Sequence, residues 1–398
     1  MKAQRFSTLA VHAGEAPDPV TGASTPNLVL STTFVAEAGS TFSVEGLTED
    51  APYFYTRWKN PTVEVLEKKL AALEGAQSCI AFASGMAAIT SLFLHQLSPG
   101  DHLIISDVTY AAAAEITRDL FTRLGIRVSR VNLSEPEALR RALTDRTRLV
   151  FAETPCNPIL RLTDIAATAE IAHQAGARLA VDSTFATPVA TRPVELGADF
   201  VVHSLTKYLS GHGDAVGGAL LGPADQLADL RRRVAIRTGG VLSPFNAWLI
   251  NRGLATLPLR MRAHQEGAVE VARFLEAHPR VNRVVYPGLS SHPQIELARR
   301  QMKNFAGMIA FQVEDGRRAA EVLSRQLEVI HYAVSLGHHR SLIFYLPTDE
   351  MLENSFRLDD DQARAYREYA RDGIFRLSVG IEDPADLCED LGRALNAL

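Results

Sequence analysis

Cysteine is scarce in this chain. There are three in 398 residues, Cys79, Cys156 and Cys388, and none stands in a CxxC pair. Such spacing offers neither a zinc site nor a disulfide framework, and it fits a reducing, cytoplasmic compartment. Long apolar runs are missing too. None approaches the ~20 residues that cross a bilayer, and no apolar signal segment follows Met1-Lys2-Ala3-Gln4-Arg5-Phe6. Charge of one sign does not accumulate: 41 Lys and Arg are scattered among 46 Asp and Glu, for a net charge of −5. Without a basic stripe, neither nucleic acid nor a membrane surface is an expected partner. No GxGxxG fingerprint occurs, which disfavours a dinucleotide dehydrogenase. Internal repeats and low-complexity tracts are also lacking.

What is present is an ordinary globular composition, 46% hydrophobic and 22% charged, with length for two or three domains and a sizeable core. Residues 1–58 are rich in Thr, Ser, Pro and Gly and show no strong periodicity. So long an irregular stretch reads as an arm lying on something else, a partner subunit. A helix follows, with Asn60 as N-cap, Pro61 in its first turn, an apolar face of Val63, Leu66, Leu70 and Leu73, and Gly75 as its stop. Short apolar runs at 78–83, 102–106, 126–131, 147–152, 178–181, 199–203 and 218–221 then alternate with helical patterns such as 163–174. This alternation predicts βαβ units, an α/β fold and a mainly parallel sheet, with ligands beyond the carboxyl ends of its strands. From about Pro258 the pattern changes to long amphipathic helices (261–277) and strands at 308–313 and 374–378. The expected division is an arm at 1–58, a cofactor domain at 59–257 and a smaller C-terminal α/β domain at 258–398.

Five constellations carry chemistry. Ser204-Leu205-Thr206-Lys207 follows a predicted buried strand. A lysine there points into the crevice, where burial lowers its pKa so that it can carry a cofactor aldehyde and act as a base. Ser204 and Thr206 offer hydroxyls to a phosphate. Asp182 ends another strand, and its carboxylate suits a protonated pyridine nitrogen, although turn aspartates are as common. Ala83-Ser84-Gly85-Met86 is a strand-to-helix turn whose free N–H groups suit a phosphate. Tyr55 and Arg57 close the arm with a hydroxyl and a two-pronged donor for the same group. Arg376 alternates with apolar residues on a strand, and its fork suits a substrate carboxylate, although a structural ion pair is the commoner fate. Elsewhere, His338-His339 has no third ligand at metal spacing, so no metal is expected. Cys156 lacks an evident base, and Gly288-Leu289-Ser290-Ser291-His292 is not a nucleophile elbow.

Taken together, these stretches resemble the Cys/Met-metabolism family of pyridoxal-phosphate enzymes of fold type I. The resemblance rests on Tyr55-Thr56-Arg57 with Asn60-Pro61-Thr62, on Ala83-Ser84-Gly85-Met86, on Glu153-Thr154-Pro155 with Asn157-Pro158, and on Val201-Val202-His203-Ser204-Leu205-Thr206-Lys207-Tyr208. It implies pyridoxal 5′-phosphate as cofactor. Lys207 is then its lysine and proton shuttle, Asp182 the pyridinium partner, and Tyr110 the ring stacked on it. Ser84, Gly85, Met86, Ser204 and Thr206 would hold the phosphate, with Tyr55 and Arg57 reaching it from a neighbouring subunit. Asn157, Ser335 and Arg376 would position the cofactor hydroxyl and the substrate carboxylate. The family also implies a homo-oligomer with shared sites, a tetramer built as a dimer of dimers. Within it, the closest look is to methionine γ-lyases, through Gly211-His212-Gly213-Asp214, Thr238-Gly239-Gly240 and Tyr286-Pro287-Gly288.

Departures from the family pattern bear on substrate. Ala111-Ala112 replaces the usual Gly and Gly or Cys after Tyr110, and Ala235-Ile236-Arg237 precedes Thr238. Arg340 stands where lyases keep an acid, and Phe344-Tyr345-Leu346-Pro347-Thr348-Asp349 replaces a His-Pro-Ala stretch. If Arg340 and Arg237 enter the pocket, a substrate with an anionic far end is favoured. If they pair with acids such as Asp349 or Glu350, the pocket stays apolar. The expected activity is γ-elimination on a sulfur amino acid, releasing 2-oxobutanoate, ammonia and a thiol. The alternatives are γ-replacement, as in an O-acylhomoserine sulfhydrylase or cystathionine γ-synthase, and cystathionine γ-lyase activity. A cofactor-binding regulator without turnover is disfavoured by the intact Lys207, Asp182, Tyr110 and Arg376.

Overall fold

The computed structural model describes residues 4–38, 43–46 and 51–398. Seven strands form the larger sheet: β1 Ser78–Phe82, β2 His102–Ser106, β3 Arg127–Val131, β4 Thr147–Glu153, β5 Arg178–Asp182, β6 Phe200–Ser204 and β7 Gly218–Gly222. Their order is β1-β7-β6-β5-β4-β2-β3. Strands β3, β2, β4, β5 and β6 run parallel, and β7 runs antiparallel to both neighbours, β6 and β1. Helices cover both faces, so β2 and β7 are buried at every position and read as continuous apolar runs rather than as alternation. The helix predicted after Asn60 is Pro61–Glu74 (α2, after a first short helix α1 at Phe6–His12). The Asn60 side chain caps it by accepting from the Thr62 and Val63 amides, and Gly75 closes it at φ +75°.

The parallel arrangement aligns the carboxyl ends of β4, β5 and β6, so Glu153, Asp182 and Ser204 finish their strands on one edge. Glu153 lies in register with Asp182. Because β7 is antiparallel to both β1 and β6, β1 also delivers its carboxyl end, and the Ser84 turn after it, to that edge.

The second sheet has the order β10-β11-β12-β9-β8, from β8 Val281–Val285, β9 Met308–Val313, β10 His331–Tyr332, β11 Leu342–Pro347 and β12 Gly373–Ser378. Its core includes Phe311 and Phe375, stacked at 5.1 Å between ring centroids. The chain reaches it through helices Pro244–Ala255 and Leu257–Ala277, which meet at Thr256. Three of these strands escape a reading by apolar runs. β8 is an edge strand whose Asn282 and Arg283 interrupt the pattern, β10 has only two residues, and β11 ends in Pro347.

The described residues of 1–58 are less uniform than an arm. α1 packs on its own chain, with Ala10 fully buried. The fully buried Lys69 of α2 donates to the Glu15 carboxylate at 2.5 Å. Gly14, at φ +74°, allows this approach, since a Cβ there would stand 2.7 Å from the Val65 carbonyl oxygen. Beyond it the character expected of an arm returns: Val20, Leu30 and Val35 are 90%, 61% and 102% exposed. Among the described residues no helix is long and apolar enough to cross a membrane.

Candidate active site

The aligned strand ends open into a cavity of about 430 Å³ between the two sheets. Ser84, Gly85, Met86, Tyr110, Asn157, Asp182, Ser204, Thr206, Lys207, Ser335 and Arg376 all line it, so eleven residues singled out from the sequence meet in one place. Glu153, Thr184, Phe185, Val216 and Val334 complete much of the wall.

One end of the cavity is a cradle of backbone. Ser84 caps the helix Gly85–Gln96 (α3), its Oγ accepting from the Ala87 amide at 3.1 Å. Close packing explains the glycine beside it: a Cβ on Gly85 would stand 3.1 Å from Ser204 Cβ. Across the cradle, Thr206 Oγ1 accepts from the Gly217 amide at 3.1 Å. A three-turn helix N-terminus flanked by two hydroxyls suits a phosphate dianion.

The floor holds two buried carboxylates. Asp182 accepts from the Thr184 amide at 3.0 Å, and burial raises its pKa against that bond. Beside it, Glu153 Oε2 accepts from Tyr110 N at 2.6 Å and Thr109 Oγ1 at 2.8 Å, while Oε1 accepts from Asn157 N at 2.7 Å. Burial and the Asp182 charge push Glu153 up to about 8. A pair of buried acids without a cation is costly, and a protonated ring nitrogen facing Asp182 relieves that cost. Glu153 also fixes the backbone that presents Tyr110, which starts helix Ala111–Ile116 (α4).

Two cations, Lys207 after β6 and Arg376 on β12, stand in the same cavity. Burial, then the Arg376 guanidinium, brings the Lys207 ammonium down to about 8, so a usable fraction is free amine near neutrality. Lys207 Nζ donates to Ser335 Oγ at 2.8 Å. Arg376 donates to Asn157 Oδ1 at 2.9 Å and to the Ser335 carbonyl at 3.2 Å. Among the described residues no carboxylate pairs with it, so its fork is held by neutral acceptors that a carboxylate ligand can displace.

Four arginine and tyrosine expectations fall elsewhere. Tyr55 and Arg57 do not line this cavity in their own chain. The Arg57 guanidinium lies 5.4 Å from the centroid of the Tyr55 ring and donates to the Ile236 carbonyl at 2.6 Å. Arg340 is exposed and outside the cavity lining. Arg237 lies 3.4 Å from Glu45, whereas Asp349 pairs with Arg367 and Glu350 with Arg317. Arg237 thus pairs with an acid, Glu45, whereas Asp349 and Glu350 are engaged by other arginines. Among the described residues no cluster of three or more His, Cys, Asp or Glu is placed to hold a metal, and all three cysteines are free.

A half-buried lysine, a buried carboxylate and a helix-end phosphate cradle on the carboxyl edge of a mainly parallel sheet, faced by an arginine fork on neutral acceptors, define an enzyme that works through pyridoxal 5′-phosphate. Comparison with known proteins gives the group. The chain belongs to the Cys/Met metabolism PLP-dependent enzyme family, whose pattern matches residues 7–396. It is 42% identical to the cystathionine gamma-synthase of Mycobacterium tuberculosis over 389 residues, covering 98% of this chain and 96% of that one. It is 38% identical to the L-methionine gamma-lyase of Treponema denticola over 397 residues, covering 99% and 97%. The solved structure of metB from Corynebacterium glutamicum superposes with a TM-score of 0.89 at 38% identity, covering 99% and 98% of the two chains. Relatives that carry out replacement and elimination thus stand at similar distance. They support the family and its cofactor but not one specific activity.

Proposed function

We propose that the chain catalyses γ-elimination on a sulfur amino acid of the methionine type, releasing 2-oxobutanoate, ammonia and a thiol. The observation that carries it is the Lys207 amine on Ser335 Oγ with the Arg376 fork beside it, held only by neutral acceptors. When bound, pyridoxal 5′-phosphate supplies an electron sink for the carbanion at the substrate α carbon. Ser84, Gly85, Met86, Ser204 and Thr206 would hold its phosphate, and Asp182 would accept its ring N–H. Arg376 grips the substrate α-carboxylate, with Asn157 and Ser335 steadying it. That contact holds the α C–H toward Lys207 Nζ. The neutral amine takes the α proton, passes it on, and then takes a proton from the β carbon, whose electron pair forms the β–γ double bond as the bond between the γ carbon and sulfur breaks. Tyr110 donates a proton to the departing sulfur.

Tyr55 and Arg57 would serve the phosphate of a second copy, in a dimer of dimers whose sites are shared. The exposed Val20, Leu30 and Val35 support that reading, because covering them on a neighbour removes apolar surface from water. A division at 1–58, 59–257 and 258–398 is supported by the two sheets and the helix junction at Thr256, with α1 docked on the second part. A reducing, cytoplasmic setting suits three free cysteines.

A second reading, γ-replacement on an activated homoserine, is favoured by the 42% identity to a cystathionine gamma-synthase. The deciding experiment surveys methionine, homocysteine, cystathionine and acylated homoserines, each with and without sulfide. Elimination predicts 2-oxobutanoate and ammonia from methionine without any added thiol. Turnover confined to acylated homoserines, with a thiol built into the product, would replace it with the second reading.

A further inference from the structure

His338 belongs to a His-His pair that offers no metal site, and no step above uses it. Its position is nonetheless tightly specified. Ser335 sits at φ +92°, a conformation that side chains other than glycine rarely adopt, and Gly337 follows at φ +72°. The Gly337 amide donates to Ser378 Oγ at 2.9 Å, and a Cβ on Gly337 would stand 2.6 Å from the Tyr208 nitrogen. The loop is therefore pressed onto the turn that carries Lys207. Its strain turns Ser335 Oγ to Lys207 Nζ at 2.8 Å and to His338 Nε2 at 3.3 Å. On the far side of the imidazole, Gly213 leaves the needed space, since a Cβ there would stand 2.7 Å from the ring.

We propose that His338 is a positioning residue for Lys207. Its neutral imidazole accepts the Ser335 O–H, which holds that oxygen's lone pairs on the lysine Nζ. The logic is one of donor count. Lys207 only donates when protonated, so Ser335 must accept from it, and the hydroxyl hydrogen must then go elsewhere. His338 Nε2 is the acceptor within reach, which places the ring proton on Nδ1. Lys207, Asp214 and His339 are the titratable groups that face the imidazole. Burial first, then the charge of Lys207 and that of His339, hold its pKa below the usual range, against the pull of Asp214. The ring is accordingly neutral and able to accept where the enzyme would work. Without an acceptor, the Ser335 hydroxyl is free to turn and donate to the neutral amine, which favours loss of the lysine proton.

This inference rests on the reading of Lys207 as the cofactor's lysine, but its test does not need the cofactor. In the full-length chain freed of pyridoxal 5′-phosphate, the pH dependence of Lys207 acetylation, read by mass spectrometry, gives the midpoint of that amine. His338→Leu is expected to lower the midpoint by about one pH unit, the worth of one hydrogen bond to a charged group. His338→Gln, which can still accept through its amide oxygen, should restore it. On a Ser335→Ala background His338→Leu should add nothing, because the connecting hydroxyl is gone. A midpoint that His338→Leu leaves unmoved would overturn the proposal. So would equal shifts in the Leu and Gln variants, or a shift that persists without Ser335. Failure to trap the cofactor on Lys207 would remove the functional reading instead, and the two results are obtained separately.

Discussion

The two walls of the cavity are built on different principles. On the large-sheet side, Asp182 and Glu153 end neighbouring strands in fixed register, and Ser84 caps a helix whose start is pinned against Ser204. On the other side, Ser335, Gly337 and His338 belong to a loop held in strained conformations, and Arg376 alone stands on a strand. The sheet wall positions by hydrogen-bond ladders that tolerate few changes. The loop wall positions by packing and single contacts. It is followed by Arg340 and the 344–349 stretch, two of the places where the sequence reads as departing from the family pattern. On the proposed reading, the difference assigns cofactor chemistry to the rigid wall and substrate choice to the loop wall.

The strongest way to break this contrast is at its centre. Lys207→Ala should lower kcat/KM by at least about 10³-fold, since the carrier amine and the base are lost together. A residual rate within tenfold of the wild type would move the chemistry elsewhere. Asp182→Asn keeps the shape of the same wall but removes its charge. It should cost roughly 10²–10³-fold in kcat, the scale of losing one buried electrostatic partner of a reacting group, with cofactor titration as the check on binding.

Arg376→Ala probes the opposite wall. KM should rise about 10–100-fold on every amino-acid substrate alike, the scale of one lost charge-assisted pair. A loss confined to one substrate would assign Arg376 to the distal group. Stability provides a further handle on the cost of the lysine. Folding depresses its pKa from 10.5 to about 8. The unfolded chain therefore binds more protons between those values, and the cofactor-free protein should gain stability as pH rises through that window. Lys207→Met should flatten the rise and stabilise the chain by about 3 kcal/mol at pH 7, measurable by urea melts at pH 7 and pH 10.

The smallest effect is expected at Arg340. It is exposed outside the cavity lining, so Arg340→Ala should change kcat/KM by less than about twofold for both methionine and O-succinylhomoserine. A selective loss on the succinyl ester would bring its side chain into the substrate pocket and make the loop wall a reader of charge.

Much of the rigid wall is legible in the sequence, because strand ends announce themselves by the change from apolar to polar. Asp182 and Lys207 are found in this way. Glu153 emits the same signal at the end of 147–152, and it holds both Tyr110 and Asn157. Thr184 and Val216 emit no such signal: they enter the wall from turns, where no period marks the inward face. The loop wall is least legible. Nothing in Ser335-Leu336-Gly337-His338 shows that Ser335 adopts φ +92° and aims its hydroxyl at a lysine 128 residues away in the chain. Likewise, Ala10 and Glu15 lie in a segment whose composition hides a short helix docked on its own chain.

The account stands most directly on the chemical identity of one amine. Purified protein with pyridoxal 5′-phosphate should show a visible absorption band that borohydride abolishes, and peptide mapping should then place a single pyridoxyl group on Lys207. A pyridoxyl group on any other lysine, or none after reduction of a protein that retains the band, would contradict it.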